Sequence, residues 1–60
     1  NLVVLKVREA TAGTVASALD AAPPEGAVGT VAGDDTILIV AATADGGQKL
    51  AKRILEILEA

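Results

Sequence analysis

Residues 28–40 read VGTVAGDDTILIV, with an apolar run on either side of a Gly-Asp-Asp-Thr centre. Valine, isoleucine and threonine favour strands because a side chain branched at Cβ packs well on a pleated surface. Gly33 tolerates a positive φ, and aspartate tolerates turn conformations. The stretch therefore predicts a hairpin of two strands, over residues 27–32 and 36–41, with Asp34 and Asp35 at its tip.

One further strand and two helices are predicted around this hairpin. Residues 2–7, LVVLKV, form an apolar strand. Residues 11–22 form a helix that Thr11 or Thr14 can cap and that Pro23-Pro24 ends. Residues 46–58 form a second helix that starts with a capping box, in which Asp45 is the N-cap and Gln48 reaches back to it. Apolar residues at helical spacing give each helix a buried face: Ala12, Val15, Leu19 and Ala22 in the first, and Leu50, Ile54, Ile57 and Leu58 in the second.

The order strand-helix-strand-strand-helix predicts an α+β fold. The simplest architecture is a two-layer α/β sandwich, an antiparallel sheet with both helices on one face. Gly29 weakens the strand around it, which indicates a bulge or the close approach of a ligand or another backbone. The sheet face away from the helices would be bare and apolar. Such a face is typical of a subunit interface, so we predict an oligomer.

Composition excludes several classes of function. The 60 residues are enough for one domain, and the net charge of −3, without a basic stripe or aromatic residues, excludes nucleic-acid binding by this chain alone. No signal peptide or membrane-spanning run is visible, so we predict no membrane partner. The absence of cysteine fits the cytoplasmic location that we predict. Histidine and cysteine are absent, and the only serine, Ser17, lies in a predicted helix, so we predict no enzyme. Because Asn1 opens the chain at the edge of a strand, we expect an excised domain.

The adjacent carboxylates of Asp34 and Asp35 have two interpretations. They can belong to a solvated turn, where aspartate is common. They can also bind a cation, since a positive ligand would relieve the repulsion between them. A guanidinium group fits a carboxylate through two parallel hydrogen bonds, whereas a divalent metal ion usually recruits more oxygen ligands at a recognisable spacing. Asp20, near the end of the first helix, is most simply a solvated residue, but the helix dipole disfavours a negative charge there, which also favours another use.

Residues 29–37, GTVAGDDTI, closely resemble the Gly-Thr-Ile-Ala-Gly-Asp-Asp-Thr segment of bacterial arginine repressors, with Val31 in place of the isoleucine. That segment lies in the C-terminal domain of the family. Residues 1–6, NLVVLK, are similar to the second strand of the domain, and residues 16–20, ASALD, to the end of its first helix. The resemblance covers nearly the whole chain.

The resemblance implies a fold, an assembly and a ligand. The family domain is a small α/β sandwich with a four-stranded antiparallel sheet, whose first strand would precede Asn1. Residues 1–60 would be the C-terminal oligomerisation and effector-binding domain, and operator DNA would be bound only by a winged-helix domain absent from this chain. Three copies would form a homotrimer and two trimers a hexamer, with L-arginine between them as co-repressor and with no metal or other cofactor. The whole protein would repress genes of arginine metabolism.

The resemblance also implies which residues contact the ligand. Asp34 would hold L-arginine, from the opposite trimer, while Asp20 would make a polar contact from the end of the helix. The implied ligand-binding residues are, in chain order, Asp20, Thr30, Ala32, Gly33, Asp34 and Asp35.

One departure from the family keeps other hypotheses open. The family has a Pro-Gly turn before the first helix and a glutamine early on that helix, whereas residues 8–14 read REATAGT. The first alternative is a purely structural oligomerisation module that has lost the ligand. The second is a sensor of another small molecule, or of a divalent cation, on the same scaffold.

Overall fold

The computed structural model describes residues 1–59, which form three strands and two helices. In chain order they are β1 Leu2–Lys6, α1 Ala12–Ala21, β2 Ala27–Gly33, β3 Thr36–Ala41 and α2 Gly47–Glu59. The predicted order is confirmed, and each predicted boundary lies within one residue of the observed one. Neither helix in this part of the chain is long and apolar enough to cross a lipid bilayer.

The three strands form one antiparallel sheet in the order β1-β3-β2, so β3 is the central strand. The hairpin of β2 and β3 confirms the prediction. Its register shifts between Ala27 and Gly29, which is the bulge predicted at Gly29. A Cβ atom placed on Gly29 would have no atom within 4 Å. The glycine therefore accompanies a bulge and not a close contact within the described chain.

Both helices pack on one face of the sheet, which confirms the two-layer α+β architecture. The core between the layers consists of Val3, Ala12, Ala16, Leu19, Ile37, Ile39, Ala41, Leu50 and Ile54. The small side chains of Ala12 and Ala16 let α1 lie close to the sheet. The core thus forms from compact aliphatic side chains alone.

The other face of the sheet is apolar and uncovered. Leu2, Val4 and Val31 are 57%, 61% and 65% exposed, and Leu38 between them on the central strand is 37% exposed. The bare face predicted from the order of the elements is present in the single chain. We refer to these four residues and the half-buried Val40 as the bare face.

The predicted apolar face of α2 is wrong in its second half. Leu50 and Ile54 are buried, but Ile57 and Leu58 are 49% and 46% exposed. The two exposed side chains border an open apolar groove of about 270 Å³ between the helices, lined on its other side by Ala18 of α1 and by Ala22 just after α1. Because alanine is small, α1 does not reach across this groove to cover the end of α2.

Three details of the helix ends also differ from the prediction. Ala22 lies beyond α1 and is exposed, since Pro23 disfavours a helical conformation in the residue before it. Thr11 occupies the N-cap position of α1, but its hydroxyl accepts no hydrogen bond from the helix and instead donates to the carbonyl of Arg8, at 2.7 Å. α2 begins at Gly47, and the Gly46 carbonyl accepts the first helical bond from Leu50, at 3.0 Å. Asp45 therefore lies one residue before the N-cap position.

Candidate functional site

The tip of the β2–β3 hairpin is a two-residue turn formed by Asp34 and Asp35. Gly33 and Thr36 are paired across the ends of the strands, which leaves the two aspartates to make the reversal. Asp34 has φ 50°, in the left-handed region. Aspartate enters this region more readily than most residues because its short polar side chain bonds locally. The sequence prediction of this turn is confirmed.

Asp34 joins the turn to the start of α1. Its carboxylate oxygen Oδ1 accepts a hydrogen bond from the backbone N–H of Ala10, at 2.9 Å. Its carbonyl oxygen accepts one from the N–H of Ala12, the first residue of α1, at 3.0 Å. The hairpin thus satisfies an N–H group at the helix start and places a negative charge where the helix dipole favours one.

Asp35 has different partners. The Thr36 hydroxyl donates to Asp35 Oδ1 at 2.8 Å, and the Lys6 ammonium lies 3.0 Å from Asp35 Oδ2. Lys6 also donates to the Thr36 hydroxyl oxygen at 2.8 Å. The Thr36 hydrogen bond, followed by the Lys6 ammonium, lowers the pKa of Asp35 below its usual value. Asp35 is therefore ionised at neutral pH, and its charge is matched within the chain.

The carboxylates of Asp34 and Asp35 have their partners on opposite sides of the sheet. Lys6 and Thr36 are paired across β1 and β3. Each lies two residues from Val4 or Leu38 on its strand, so both lie on the same side of the sheet as the bare face. Ala10 precedes α1, which lies on the covered face. The repulsion expected between the two aspartates is thus relieved at Asp35 by a lysine of the same chain.

Asp20 lies at the other end of α1 and is bonded to β2. The Thr30 hydroxyl is 3.1 Å from Asp20 Oδ1 and 3.2 Å from Asp20 Oδ2, so its hydrogen is shared between the two carboxylate oxygens. Thr30 and Asp20 border a small cleft of about 140 Å³ that Ile39 and Pro24 also line. A residue that the helix dipole disfavours thus has a polar partner on the neighbouring strand.

Five of the six residues named from the sequence lie along the edge where α1 meets β2, whereas the Asp35 side chain contacts Lys6 of β1. Asp20 and Thr30 are in contact at one end, and Asp34 lies at the other. Ala12 and Asp20 are eight residues apart on α1, which corresponds to roughly 12 Å along the helix axis. Ala32 and Gly33 lie on β2 between the two ends. The chain therefore presents two separate carboxylates along this edge.

Sequence reasoning missed Lys6, Thr36 and Ala10. Lys6 and Thr36 are 30 residues apart, and only the pairing of β1 with β3 brings them together. Ala10 has φ 64°, in the left-handed region, where an alanine gives no sign of the conformation that a glycine would have indicated. Within residues 1–59, no group of three or more acidic side chains is placed to hold a metal ion.

These features define a small α+β domain with a bare apolar sheet face and acidic side chains along one edge. Residues 1–56 match the family model described as the arginine repressor C-terminal domain. The chain belongs to this family, which confirms the resemblance seen in residues 29–37.

Curated relatives support the same assignment. The chain is 39% identical to an arginine repressor of Bifidobacterium adolescentis over 57 residues, which cover 95% of the chain and 33% of the relative. It is 44% identical to an arginine repressor of Solibacter usitatus over 59 residues, 98% of the chain and 41% of the relative. For an arginine repressor of Symbiobacterium thermophilum the identity is 46% over 54 residues, 90% of the chain and 36% of the relative. The chain thus spans about a third to two fifths of the length of these relatives.

Proposed function

We propose that this chain is the arginine-sensing oligomerisation domain of a transcriptional repressor of arginine-metabolism genes. Three copies form a trimer, two trimers stack into a hexamer, and L-arginine bound between the trimers stabilises the hexamer. The observation that carries the proposal is the family match over residues 1–56. Operator DNA is contacted by a separate N-terminal domain of the whole cytoplasmic protein, and residues 1–60 form a regulatory and not a catalytic domain.

The bare face supports the assembly. Four large aliphatic side chains are between 37% and 65% exposed on one surface of the sheet. Packing them against another copy removes apolar surface from water, which is the main driving force of association. The core of a single chain is small, and domains of this size gain stability from oligomerisation. This face therefore holds copies together.

The carboxylates of Asp34 and Asp20 favour a ligand that has a guanidinium group and a second hydrogen-bond donor. Asp34 uses Oδ1 for the N–H of Ala10, and its Oδ2 has no hydrogen-bond partner among residues 1–59. A guanidinium group donates well to such an oxygen, and it adds charge compensation. Asp20, oriented by Thr30, accepts a hydrogen bond from a second polar group of an amino-acid ligand. In this proposal, Asp34 reaches a ligand held by the opposite trimer.

Linkage explains how such a ligand controls assembly. A ligand that binds only the assembled state stabilises that state by about 2.7 kcal/mol at one hundred times its dissociation constant. The coupling is reciprocal, so assembly tightens arginine binding by the factor by which arginine tightens assembly. Carboxylates at the junction oppose stacking of the trimers, and a bound guanidinium group removes that opposition.

Sedimentation of the chain with and without millimolar L-arginine tests the proposal. We expect arginine to shift the distribution from trimer to hexamer, and L-lysine, whose ammonium lacks the planar fork, to have a smaller effect. Asp34→Asn should keep the trimer and lose the shift. A distribution that arginine leaves unchanged would contradict arginine sensing.

A ligand-free structural module is the second candidate, and one observation favours it. Lys6 already compensates the charge of Asp35 within the chain, so the turn has less need of an external cation. In this case the trimer forms, and neither arginine nor Asp34→Asn changes it. Thermal melts with Mg²⁺ or Ca²⁺ in place of arginine test the cation sensor in the same series.

A further inference from the structure

Lys6 lies where a cationic ligand of Asp35 would lie. Its ammonium is 3.0 Å from Asp35 Oδ2 and donates to Thr36 Oγ1 at 2.8 Å, while the Thr36 hydroxyl donates to Asp35 Oδ1 at 2.8 Å. Each carboxylate oxygen of Asp35 thus has one contact within the chain. The arrangement is closed, because every member of this trio bonds to the other two.

This arrangement opposes a second cation on Asp35. A guanidinium group that binds the same carboxylate either displaces the lysine or lies close to its positive charge, and both cost binding free energy. Asp34 differs, since its carboxylate bonds a neutral backbone N–H. Of the two adjacent aspartates, only Asp34 presents an uncompensated charge.

The lysine contact can open. The Lys6 side chain is 65% exposed, and that of Asp35 is 38% exposed. A flexible four-carbon stem carries the lysine ammonium, so this group can leave the carboxylate without a change in the backbone. The ion pair between Lys6 and Asp35 can therefore break while the fold stays intact.

We infer that Lys6 competes with a guanidinium ligand for the Asp35 carboxylate. It thereby lowers the affinity of the hairpin turn for that ligand. This inference rests on the proposed function, because it concerns the same turn and the same ligand. It makes Lys6 a residue that sets affinity, and it leaves the principal contact to Asp34.

Three variants of the 60-residue chain test the inference. Lys6→Gln removes the competing charge. Lys49→Gln is the matched control, because Lys49 is exposed on α2 with no side-chain hydrogen bond or ion pair within residues 1–59, and its loss changes the net charge by the same amount. Lys6→Arg keeps a cation at the position. The readouts are the melting temperature and the sedimentation distribution over a range of L-arginine concentrations, with L-citrulline as the uncharged analogue.

We expect Lys6→Gln to lower the arginine concentration at half-effect by about two- to fivefold relative to Lys49→Gln, which is the magnitude typical of an exposed ion pair. Lys6→Arg should behave like the unchanged chain. The difference between the two glutamine variants should shrink at roughly 0.5 M salt, where exposed charges are screened within a few ångströms. Citrulline should not distinguish them.

Failure of the inference and failure of the proposed function give different results. If the unchanged chain responds to arginine but the two glutamine variants have equal midpoints, the inference is wrong and arginine sensing stands. If only Lys6→Gln responds, the inference stands and the unchanged chain is not an arginine sensor. If no variant responds, both are wrong. Circular dichroism without ligand establishes that each variant is folded.

Discussion

The two faces of the sheet consist of the same kinds of residue and have opposite surroundings. Ile37 and Ile39 on the covered face are 0% exposed, whereas Val4 and Val31 on the bare face are 61% and 65% exposed. Neighbouring residues of one strand alternate between the two faces. Residues of equal hydrophobicity therefore differ in their surroundings, since the covered face forms the core of the single chain and the bare face is exposed to solvent in it.

The largest expected effect is on the covered face. Ile39→Ala should lower the free energy of unfolding by roughly 2–5 kcal/mol, because it removes transfer free energy and leaves a cavity between the sheet and the helices. This is a large part of the stability of a small domain. Urea unfolding followed by circular dichroism measures it.

Leu38→Ala is the matched control, because Leu38 is the adjacent residue of β3 and lies on the opposite face. At protein concentrations too low for assembly, it should lower the free energy of unfolding much less than Ile39→Ala. Equal losses in the two variants would show that the bare face also stabilises the single chain.

The next effect is on the bare face. Val31→Lys should leave the fold intact, since exposed substitutions usually change stability by no more than about 0.5 kcal/mol. It should nevertheless abolish association, because a buried and unpaired ammonium is costly in an interface. Sedimentation measures the loss of the oligomer, and Gln48→Lys is the control for an added charge at an exposed position on α2. An oligomer that persists in Val31→Lys would place the interface elsewhere.

The contrast between the faces was visible in the sequence, whereas the packing between the helices was not. Apolar strands in the order strand-helix-strand-strand-helix are local patterns, and they predicted one covered and one bare face. The exposure of Ile57 and Leu58 depends on how far the side chains of α1 reach across the groove. A helical repeat shows which residues share a face, but it does not show whether a partner helix covers them.

In the candidate site, too, only the parts formed by neighbouring residues of the chain could be predicted from the sequence. The Asp34–Asp35 turn follows from residue types that are adjacent in sequence. The contact of Lys6 with Asp35 depends on the register between β1 and β3, and the contact of Asp20 with Thr30 depends on the packing of α1 against β2. Such long-range contacts depend on the tertiary structure. The family resemblance implied which residues contact the ligand, but not which residues of the chain contact each other.

A smaller effect is expected at Ala10, in the segment that leads from β1 to α1. Its φ of 64° costs a residue with a Cβ roughly 1–2 kcal/mol relative to glycine. Glycine loses more entropy on folding, about 0.4–1 kcal/mol. Ala10→Gly should therefore stabilise the chain by about 0.5–1 kcal/mol, measured as a higher urea midpoint.

The gain in stability from Ala10→Gly should arise on the covered side of the sheet. It should therefore leave association through the bare face unchanged. Ala22→Gly, at a position with negative φ beyond α1, is the control and should not stabilise. A lower urea midpoint for Ala10→Gly would show that the left-handed conformation carries no strain there.

The smallest effect is the response to acid at the edge of the bare face. The Thr36 hydroxyl and the Lys6 ammonium lower the pKa of Asp35, so the folded state binds a proton less readily than the unfolded state does. The resulting stability is complete above the unfolded pKa of about 3.9 and is lost as the pH falls through the lower folded pKa. Urea midpoints between about pH 5 and pH 2 should therefore fall less in Asp35→Asn than in the unchanged chain. Lys6→Gln should reduce the fall only partly, because the Thr36 hydrogen bond remains; equal slopes in all three would mean that neither partner stabilises the ionised carboxylate.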